Sequence, residues 1–563
     1  MAPEPNRWCS WDSFQPRVLL IVTHRRSGRS RLDMIQNRQN TVAVVGSGPG
    51  GLAAAMLLAA SGLPVTLYEA RSVIGGRTRR ISSGDFHFDC GPTFFMMPYV
   101  LEEIFSACGY RLDQCVELQR LDPMYRLVFG RSGQSPLTID TTQDLDRMTA
   151  QLDAIDPFDS AAFERFMRDN RRKLRLMTPI LRKPIRSFFD LISRDAMKCG
   201  PVLKPHQSLY TYLKGYFRDP HVRLALSFQS KYLGMSPYEC PSLFSILPFI
   251  EYEYGIWHPT GGCNALTNAM AACCRAMGVE IITDAPVEKL AFDGNRLTGV
   301  QVRGEMRQHD HAVINADATW ALKNLIPETL RGRETDDAID RKRYSCSTFM
   351  LYLGLDGEVD LPHHTIYVSS RYEENLRDIT ERGRLSDDPS FYICNPSRLD
   401  PTLAPPGKSA LYLLVPTPNT KATIDWSQAA PQLRRTALDH AERILGVDGL
   451  SRRIVTEEII TPDDWRAERI NHGATFNLAH NLTQMLHRRP QHKMRGTEGV
   501  WFVGGGTHPG SGLPVIFLSS QTTARLLCTE LGRTCVLDQS SVPAREPIES
   551  HAPHLDFDAL ALS

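Results

Sequence analysis

No apolar run in this chain reaches the about 18–20 residues that a membrane-crossing helix needs. Near the start, Val18 to Thr23 spans only six residues and no small-residue cleavage site follows it, which excludes a secretory signal of ordinary form. The thirteen cysteines include no CxxC pair, and the seventeen histidines include no HExxH. That spacing argues against a metal site and for reduced, mostly buried thiols of a cytoplasmic protein. The adjacent Cys273 and Cys274 fall on an expected helix and point to different faces. Charge of one sign is also missing: 64 basic and 63 acidic residues leave +1, so nothing suggests a nucleic-acid partner. No internal repeat is apparent. At 563 residues, 42% hydrophobic and 23% charged, the chain suits two connected domains.

What is present begins at Thr41 to Val45, a short β run followed by Gly46-Ser-Gly48-Pro-Gly50-Gly51. A helix is expected over Gly51 to Ala60, a break at Ser61-Gly62, then a second strand over Pro64 to Tyr68. Glu69 stands 18 residues after Gly51. Strand, glycine turn, helix, strand and acid make a βαβ dinucleotide-binding unit. Gly46 permits the tight turn, Gly48 lets the backbone approach a pyrophosphate, and Gly51 packs helix on strand. The helix N-terminus offers unpaired N–H groups to the phosphates, and Glu69 accepts from ribose hydroxyls.

Twenty-five residues beyond Gly50 the chain reads Gly75-Gly76-Arg77-Thr78, then Phe88-Asp89-Cys90-Gly91-Pro92-Thr93. Near the other end it reads Gly499-Val-Trp-Phe-Val-Gly504-Gly505-Gly506-Thr507-His508-Pro509-Gly510-Ser-Gly512-Leu-Pro514. Between them lie Trp257-His258-Pro259-Thr260-Gly261-Gly262, Asn315-Ala316-Asp317 and the stretch Asp400 to Gly407. Taken together these motifs, over roughly residues 41 to 532, resemble the bacterial-type phytoene desaturases, carotenoid desaturases among the FAD-dependent amine-oxidase-like flavoproteins.

That resemblance implies an α/β fold. A Rossmann-like FAD-binding domain is assembled from discontinuous segments, and a mixed α+β substrate domain is inserted into it. FAD is the implied cofactor, preferred over NAD because of the Gly-Gly-Arg extension. Gly76 and Arg77 would clamp the pyrophosphate, Val287 would meet the adenine through its backbone, and Gly505 and Gly506 would line the flavin. A helix beginning near Leu513-Pro514-Val515 would aim its N–H groups at the flavin edge where negative charge develops. Thr507 replaces an acid that many relatives carry beside the ribityl chain. His508 would stand close to the flavin, either as a base or orienting group for cofactor or quinone, or as a loop residue fixing the turn. Phe517 would add bulk near the flavin, which bears on the choice of substrate.

The expected segments are 41–150, 256–320 and 488–532 for FAD binding, and 151–255 and 321–487 for the substrate domain. Residues 1–40 and 533–563 are expected to be disordered. Met34 is an alternative start; a transit peptide is the other reading of the Arg-rich stretch before it. From Arg165 to Lys198 eleven Lys/Arg meet only three acids, with Phe166, Met167, Leu174, Ile185, Phe188, Phe189 and Ile192 interleaved. Such a stripe docks on anionic lipid or packs its apolar side on the domain. Tyr210, Tyr212, Tyr216 and Phe217 either line a tunnel or belong to the core.

The resemblance therefore implies desaturation of a hydrophobic polyene, C40 phytoene-like or C30 diapophytoene-like, by hydride transfer to flavin. Reoxidation would be by quinone or oxygen, on the cytoplasmic side of the membrane lipid surface. The alternatives are a later carotenoid oxidase, 3,4-desaturase or isomerase, or a non-catalytic FAD- or lipid-binding protein. An amine or protoporphyrinogen oxidase would lack the Thr-His-Pro-Gly loop.

Overall fold

The structure, a computed structural model, describes residues 40–131, 133–192 and 194–539. The expectations for residues 1–39 and for the end of the tail, 540–563, lie outside the described residues.

A five-stranded parallel sheet carries the glycine turn. Its order is Val500–Phe502, His311–Ile314, Val42–Val45, Val65–Tyr68, Glu280–Ile282. The strands come from three separated stretches of chain. All four residues of Val42–Val45 are buried because both faces of the sheet are covered: Val42 and Val44 pack with helices, Ala43 and Val45 with the antiparallel strands of residues 287–302 and the helix Ala318–Leu325. The helix Pro49–Ala60 packs its Leu52, Met56 and Leu57 into this core, and the helix Leu513–Glu530 lies against it. A three-stranded antiparallel sheet adjoins, its first hairpin turning at Gly294-Asn295 between Val287–Asp293 and Arg296–Val302. Gly294 takes φ +61° there, the left-handed backbone such a turn demands.

The second layer is a seven-stranded mixed sheet: Ile454–Ile460, Ser347–Asp356, Lys408–Thr417, Phe391–Cys394, His364–Val368, Tyr125–Phe129, Leu137–Thr141. Its single parallel pair joins His364–Val368 to Tyr125–Phe129. The boundary expected at residue 150 thus moves back to about residue 120, since two strands before it pair in this sheet. The boundary expected at 320 moves the other way. Ala318, Ala321, Leu322, Leu325 and Ile339 pack with the parallel-sheet core.

The tail is also corrected. Cys535 is buried in the cofactor-domain core and Val536–Gln539 forms a helical turn, anchored by Arg525 on Asp538 at 2.9 Å. All twelve described cysteines are free, ten of them buried, and Cys273 and Cys274 share one core.

The basic stripe divides. The helix Pro157–Leu181 turns Phe163, Phe166, Met167, Leu174 and Met177 inward, so its apolar side packs on the domain. Arg171 pairs with Glu253 and Arg182 with Glu103, while Lys173 is buried on Ser245 Oγ and over the Tyr212 ring. Arg168, Arg172 and Arg175, spaced along one helix face, remain exposed. Just beyond, Phe189, Ile192 and Met197 are exposed large apolar side chains, Phe189 to 80%. Tyr212 and Phe217 are core, and Tyr216 donates to Asp169. Among the described residues no helix is long and apolar enough to cross a membrane.

Candidate active site

The glycine turn is a cradle built from backbone. A Cβ at Gly51 would stand 2.0 Å from the Gly46 carbonyl oxygen, and one at Gly50 would stand 2.6 Å from Asn315 Oδ1. Asn315, at the end of the neighbouring strand, donates through Nδ2 to Gly46 O at 3.2 Å. It also stands beside Gly504, so one amide braces both glycine loops. Glu69 accepts from Ser47 N at 2.8 Å and Ser47 Oγ at 2.5 Å through one oxygen, and from Arg71 N at 3.0 Å through the other. It therefore holds the turn that it borders. Val287 starts its strand fully packed, and Ala285 N bonds Glu69 O at 2.8 Å, bringing that segment to the end of the second strand.

Gly76 (φ +56°) presses on Gly48, 3.1 Å separating its would-be Cβ from the Gly48 Cα. The Arg77 guanidinium bonds the Thr475 carbonyl and reaches the Asn477 amide oxygen at 3.3 Å, with the amide nitrogen turned to Asp317 Oδ2 at 3.0 Å. Asp317 caps the helix Ala318–Leu325 and is half-buried; desolvation raises its carboxyl although Thr319, Trp320 and Arg77 oppose the shift.

Thr507 is buried and its carbonyl accepts from Arg489 Nε at 3.2 Å; Arg489 Nη2 also serves Gly505 O at 2.8 Å. Arg489 is itself buried, which lowers it to about 10, and its Nη1 finds no partner. Motif spacing missed Arg489; its only signal was an arginine before proline upstream of the last strand. Gly506 leaves no room beside Ala318, and a Cβ on Gly505 would crowd the Asn477 side-chain amide at 2.8 Å. His508 is buried and its ring meets His492 edge-on at 5.8 Å; burial lowers it to about 4, so it is neutral near pH 7. Val515 sits in the first turn of the helix Leu513–Glu530, where Pro514 lacks an N–H and Ile516 N is already bound to Gly512 O. Phe517 is buried in the core between helices, and Ser520 Oγ donates to Gly50 O at 2.8 Å.

Linked to these segments through neighbouring residues is an aromatic cage. Phe94 stacks on His364 (4.2 Å, 12°) and lies 5.1 Å from Tyr232, 5.6 Å from Tyr392 and 6.0 Å from Tyr125. Both edges of the cage join the cofactor segments. Phe94 follows Gly91, where a Cβ would stand 2.9 Å from Arg77 O; Tyr232 precedes Gly234, which abuts Phe476, and Ser511 Oγ donates to Phe476 O. Below it, buried Glu251 accepts from Tyr125 Oη at 2.8 Å and Gln229 Nε2 at 2.9 Å. Burial raises Glu251 to about 7 against those hydrogen bonds.

Three matched motifs also converge. Asp89 accepts from Cys263 N and Asn264 N at the start of the helix Cys263–Ala276, and Asp400 Oδ2 accepts from Gly261 N at 2.6 Å and His258 Nε2 at 3.0 Å. Trp257-His258 thus does more than join domains. His363, His364 and Cys394 gather within 4.8 Å, a group whose spacing along the chain concealed it.

The family described as flavin containing amine oxidoreductase matches residues 49–528. The chain is 40% identical over 488 residues to a 4,4'-diapophytoene desaturase (4,4'-diapolycopene-forming) of Methylomonas sp, covering 86% of this chain and 94% of that one. It is 41% identical over 518 residues to an all-trans-zeta-carotene desaturase of Myxococcus xanthus, covering 90% and 96%. Among solved structures, a putrescine oxidase shares the fold with TM-score 0.56 at 16% identity, over 88% of this chain and 99% of the other.

Proposed function

The chain belongs to the flavin-containing amine oxidoreductase family, and from that premise we propose that it is an FAD-dependent carotenoid desaturase, an oxidoreductase of CH–CH bonds acting on a phytoene- or diapophytoene-like polyene. The reading rests on the likeness to carotenoid desaturases through both the cofactor and the substrate halves of the chain.

The residues present fit FAD. The turn at Gly46–Gly51 admits no Cβ at its closest points, Glu69 ends the second strand, and the buried Arg489 Nη1 lacks a partner beside the second glycine loop. The backbone at Gly48 and the N-terminus of Pro49–Ala60 would hold the pyrophosphate, Glu69 the ribose, and Gly505, Gly506 and Val515 the flavin side. When bound, FAD supplies a hydride acceptor, which no side chain provides. The chain's own residues bind, orient and shield. Phe94, Tyr232 and Tyr392 present ring faces that hold a flat polyene and exclude water, and a conjugated cation spreads its charge along the chain between them. Thr507 and Arg489 fix the loop, and neutral His508 adds no charge of its own.

The proposal extends to partners. Phe189, Ile192 and Met197, with Arg168, Arg172 and Arg175 behind them, suit the headgroup layer of an anionic membrane, from which so apolar a substrate must come. We assign the chain to the cytoplasmic face of the cell membrane. For a quinone or oxygen acceptor, a cavity of about 540 Å³ lined by Pro184, Arg186, His492, Met494 and Trp501 offers an approach through the His492–His508 contact.

The test is co-expression with a pathway making C40 phytoene and, separately, one making C30 diapophytoene. Coloured polyenes in one host are expected, and that host names the chain length. Colourless cells in both, with flavin-loaded protein present, would overturn primary desaturation and shift the reading to an already conjugated carotenoid.

A further inference from the structure

Strand alternation puts His364, Tyr392, Cys394 and Tyr412 on one face of the seven-stranded sheet, through the pairs His364↔Cys394 and Cys394↔Tyr412. From that face a continuous row of hydrogen-bonding side chains runs inward to outward. His364 Nδ1 lies 3.3 Å from His363 Nδ1, and His363 Nε2 lies 3.1 Å from His258 Nδ1. His258 Nε2 lies 3.0 Å from Asp400 Oδ2, and Thr402, which is exposed, donates to Asp400 Oδ1 at 2.6 Å. The four inner residues are buried.

The row has a direction. Burial pushes Asp400 up, but the bonds from His258, Thr402 and Gly261 outweigh it and hold the carboxyl down at about 2, so it accepts only. His258 Nε2 must then donate to it, which leaves His258 Nδ1 to accept from His363 Nε2–H. Burial keeps His363 and His364 neutral. His363 Nδ1 therefore accepts, and His364 Nδ1 carries the hydrogen that lies between them; the Tyr392 hydroxyl, 2.6 Å from the same Nδ1, accepts from it too and turns its own hydrogen to Thr93 Oγ1 at 2.8 Å. One atom of these rings is left over. His364 Nε2 is buried, bears a lone pair and has no partner, in a ring stacked on Phe94 inside the aromatic cage.

We propose that His364 Nε2 is the proton acceptor of the desaturation and that His363, His258 and Asp400 are the relay that carries the proton away from the cage. This rests on the desaturase reading above. Forming the double bond removes a hydride, whose two electrons reduce the flavin, and a proton from the adjacent carbon. The second C–H bond breaks, its electron pair becomes the π bond, and the proton forms an N–H bond at Nε2. The Nδ1 proton of His364 passes to His363 Nδ1, and that of His363 Nε2 passes to His258 Nδ1. The charge comes to rest on a His258 imidazolium against the Asp400 carboxylate, two rings beyond His364 and one hydroxyl from solvent, and the polyene is left neutral. Removing the positive charge from the cage makes the step favourable: an imidazolium left at His364 would remain uncompensated among Phe94, Tyr392 and Tyr232.

The experiment has two readouts on the full-length protein. In the first, ¹⁵N-histidine NMR assigns ring tautomers in protein free of substrate. Hydrogen at Nε2 of His258 and His363 and at Nδ1 of His364 is expected; hydrogen at Nε2 of His364 would overturn the relay. In the second, the flavin of the holoprotein is bleached anaerobically by diapophytoene or phytoene in liposomes. His364→Gln should slow bleaching by about 100-fold or more with flavin content unchanged. His258→Gln, remote from the cage, should slow it less and remove the solvent deuterium effect expected of the wild type. Bleaching of both variants at the wild-type rate would overturn the relay alone, whereas a wild-type flavin that no polyene bleaches would overturn the desaturase reading beneath it. Stoichiometric zinc released on denaturation and lost in His363→Gln would assign the group as a metal site and overturn the relay.

Discussion

The cofactor half and the substrate half of this molecule are built on different terms. Around Gly46–Gly51 the chain binds with backbone, and the constraints are steric: absent side chains, a helix start and one short strand. Around Phe94, Glu251 and His364 it is built with side chains contributed by residues far apart, Tyr125 and Glu251 by 126 positions and His258 and Asp400 by 142. The first half tolerates almost no added atom. The second stores its chemistry in buried titratable groups whose state depends on neighbours.

Steric and electrostatic construction fail differently, and the largest effect should come from the steric side. Gly51→Ala drives a Cβ against the Gly46 carbonyl, a backbone atom that cannot step aside, so flavin retention and soluble yield should both be lost. In Gly48→Ala the new Cβ meets only Asn315 Nδ2 at 3.0 Å, a side chain able to shift, and a yellow protein of reduced flavin affinity is expected. Flavin absorbance per protein measures both; equal retention would break the contrast.

Glu251 tests the electrostatic side. Its carboxyl is raised from 4.5 to about 7 by burial among Tyr125, Tyr232, Tyr252 and Gln229. Between those values the unfolded chain has lost the proton that the folded chain keeps. Stability therefore falls as pH rises from about 4.5 to about 7 and is level beyond, the total being on the order of 3 kcal/mol. Glu251→Gln keeps the hydrogen bonds without the charge, so it should flatten this dependence and exceed the wild type in denaturant midpoint at pH 8. Parallel pH profiles for the two proteins would remove Glu251 from the account.

The smallest effect concerns the surface. Replacing Phe189, Ile192 and Met197 together by Ser should reduce co-sedimentation with anionic liposomes severalfold and leave flavin content untouched. Arg172→Glu should weaken it only at low salt, as exposed charges are screened. Reversing Arg171 and Lys173 instead would strip a pair with Glu253 and a buried ammonium, and so would report on folding. Unchanged sedimentation of the Ser variant would leave the lipid surface unassigned.

Legibility follows the same division. The glycine turn, its helix, the acid and the closing loop were readable because each depends on residues within one turn of chain. Asn315, Arg489 and Asp400 appeared only as parts of unassigned stretches or not at all, since their partners lie on other elements. The basic stripe showed its composition but not its phase: Arg171, Lys173 and Arg182 are paired or buried, and the apolar side of Pro157–Leu181 faces the core while Phe189, Ile192 and Met197 stay exposed. Phe517, expected to add bulk near the flavin, is packed inside the core.

By itself the sequence determined the dinucleotide unit, since turn geometry and strand period act over a few residues, and its likeness to a known family implied FAD and the assembly of the parallel sheet from separated segments. Tertiary structure alone decided which side chains do chemistry. Sheet register set His364 opposite Cys394 and beside Tyr392, and the docking of residues 257–262 on Asp400 completed the row. A hydrogen-bonded relay is a property of distances between atoms, and distances between remote segments exist only once the layers have packed.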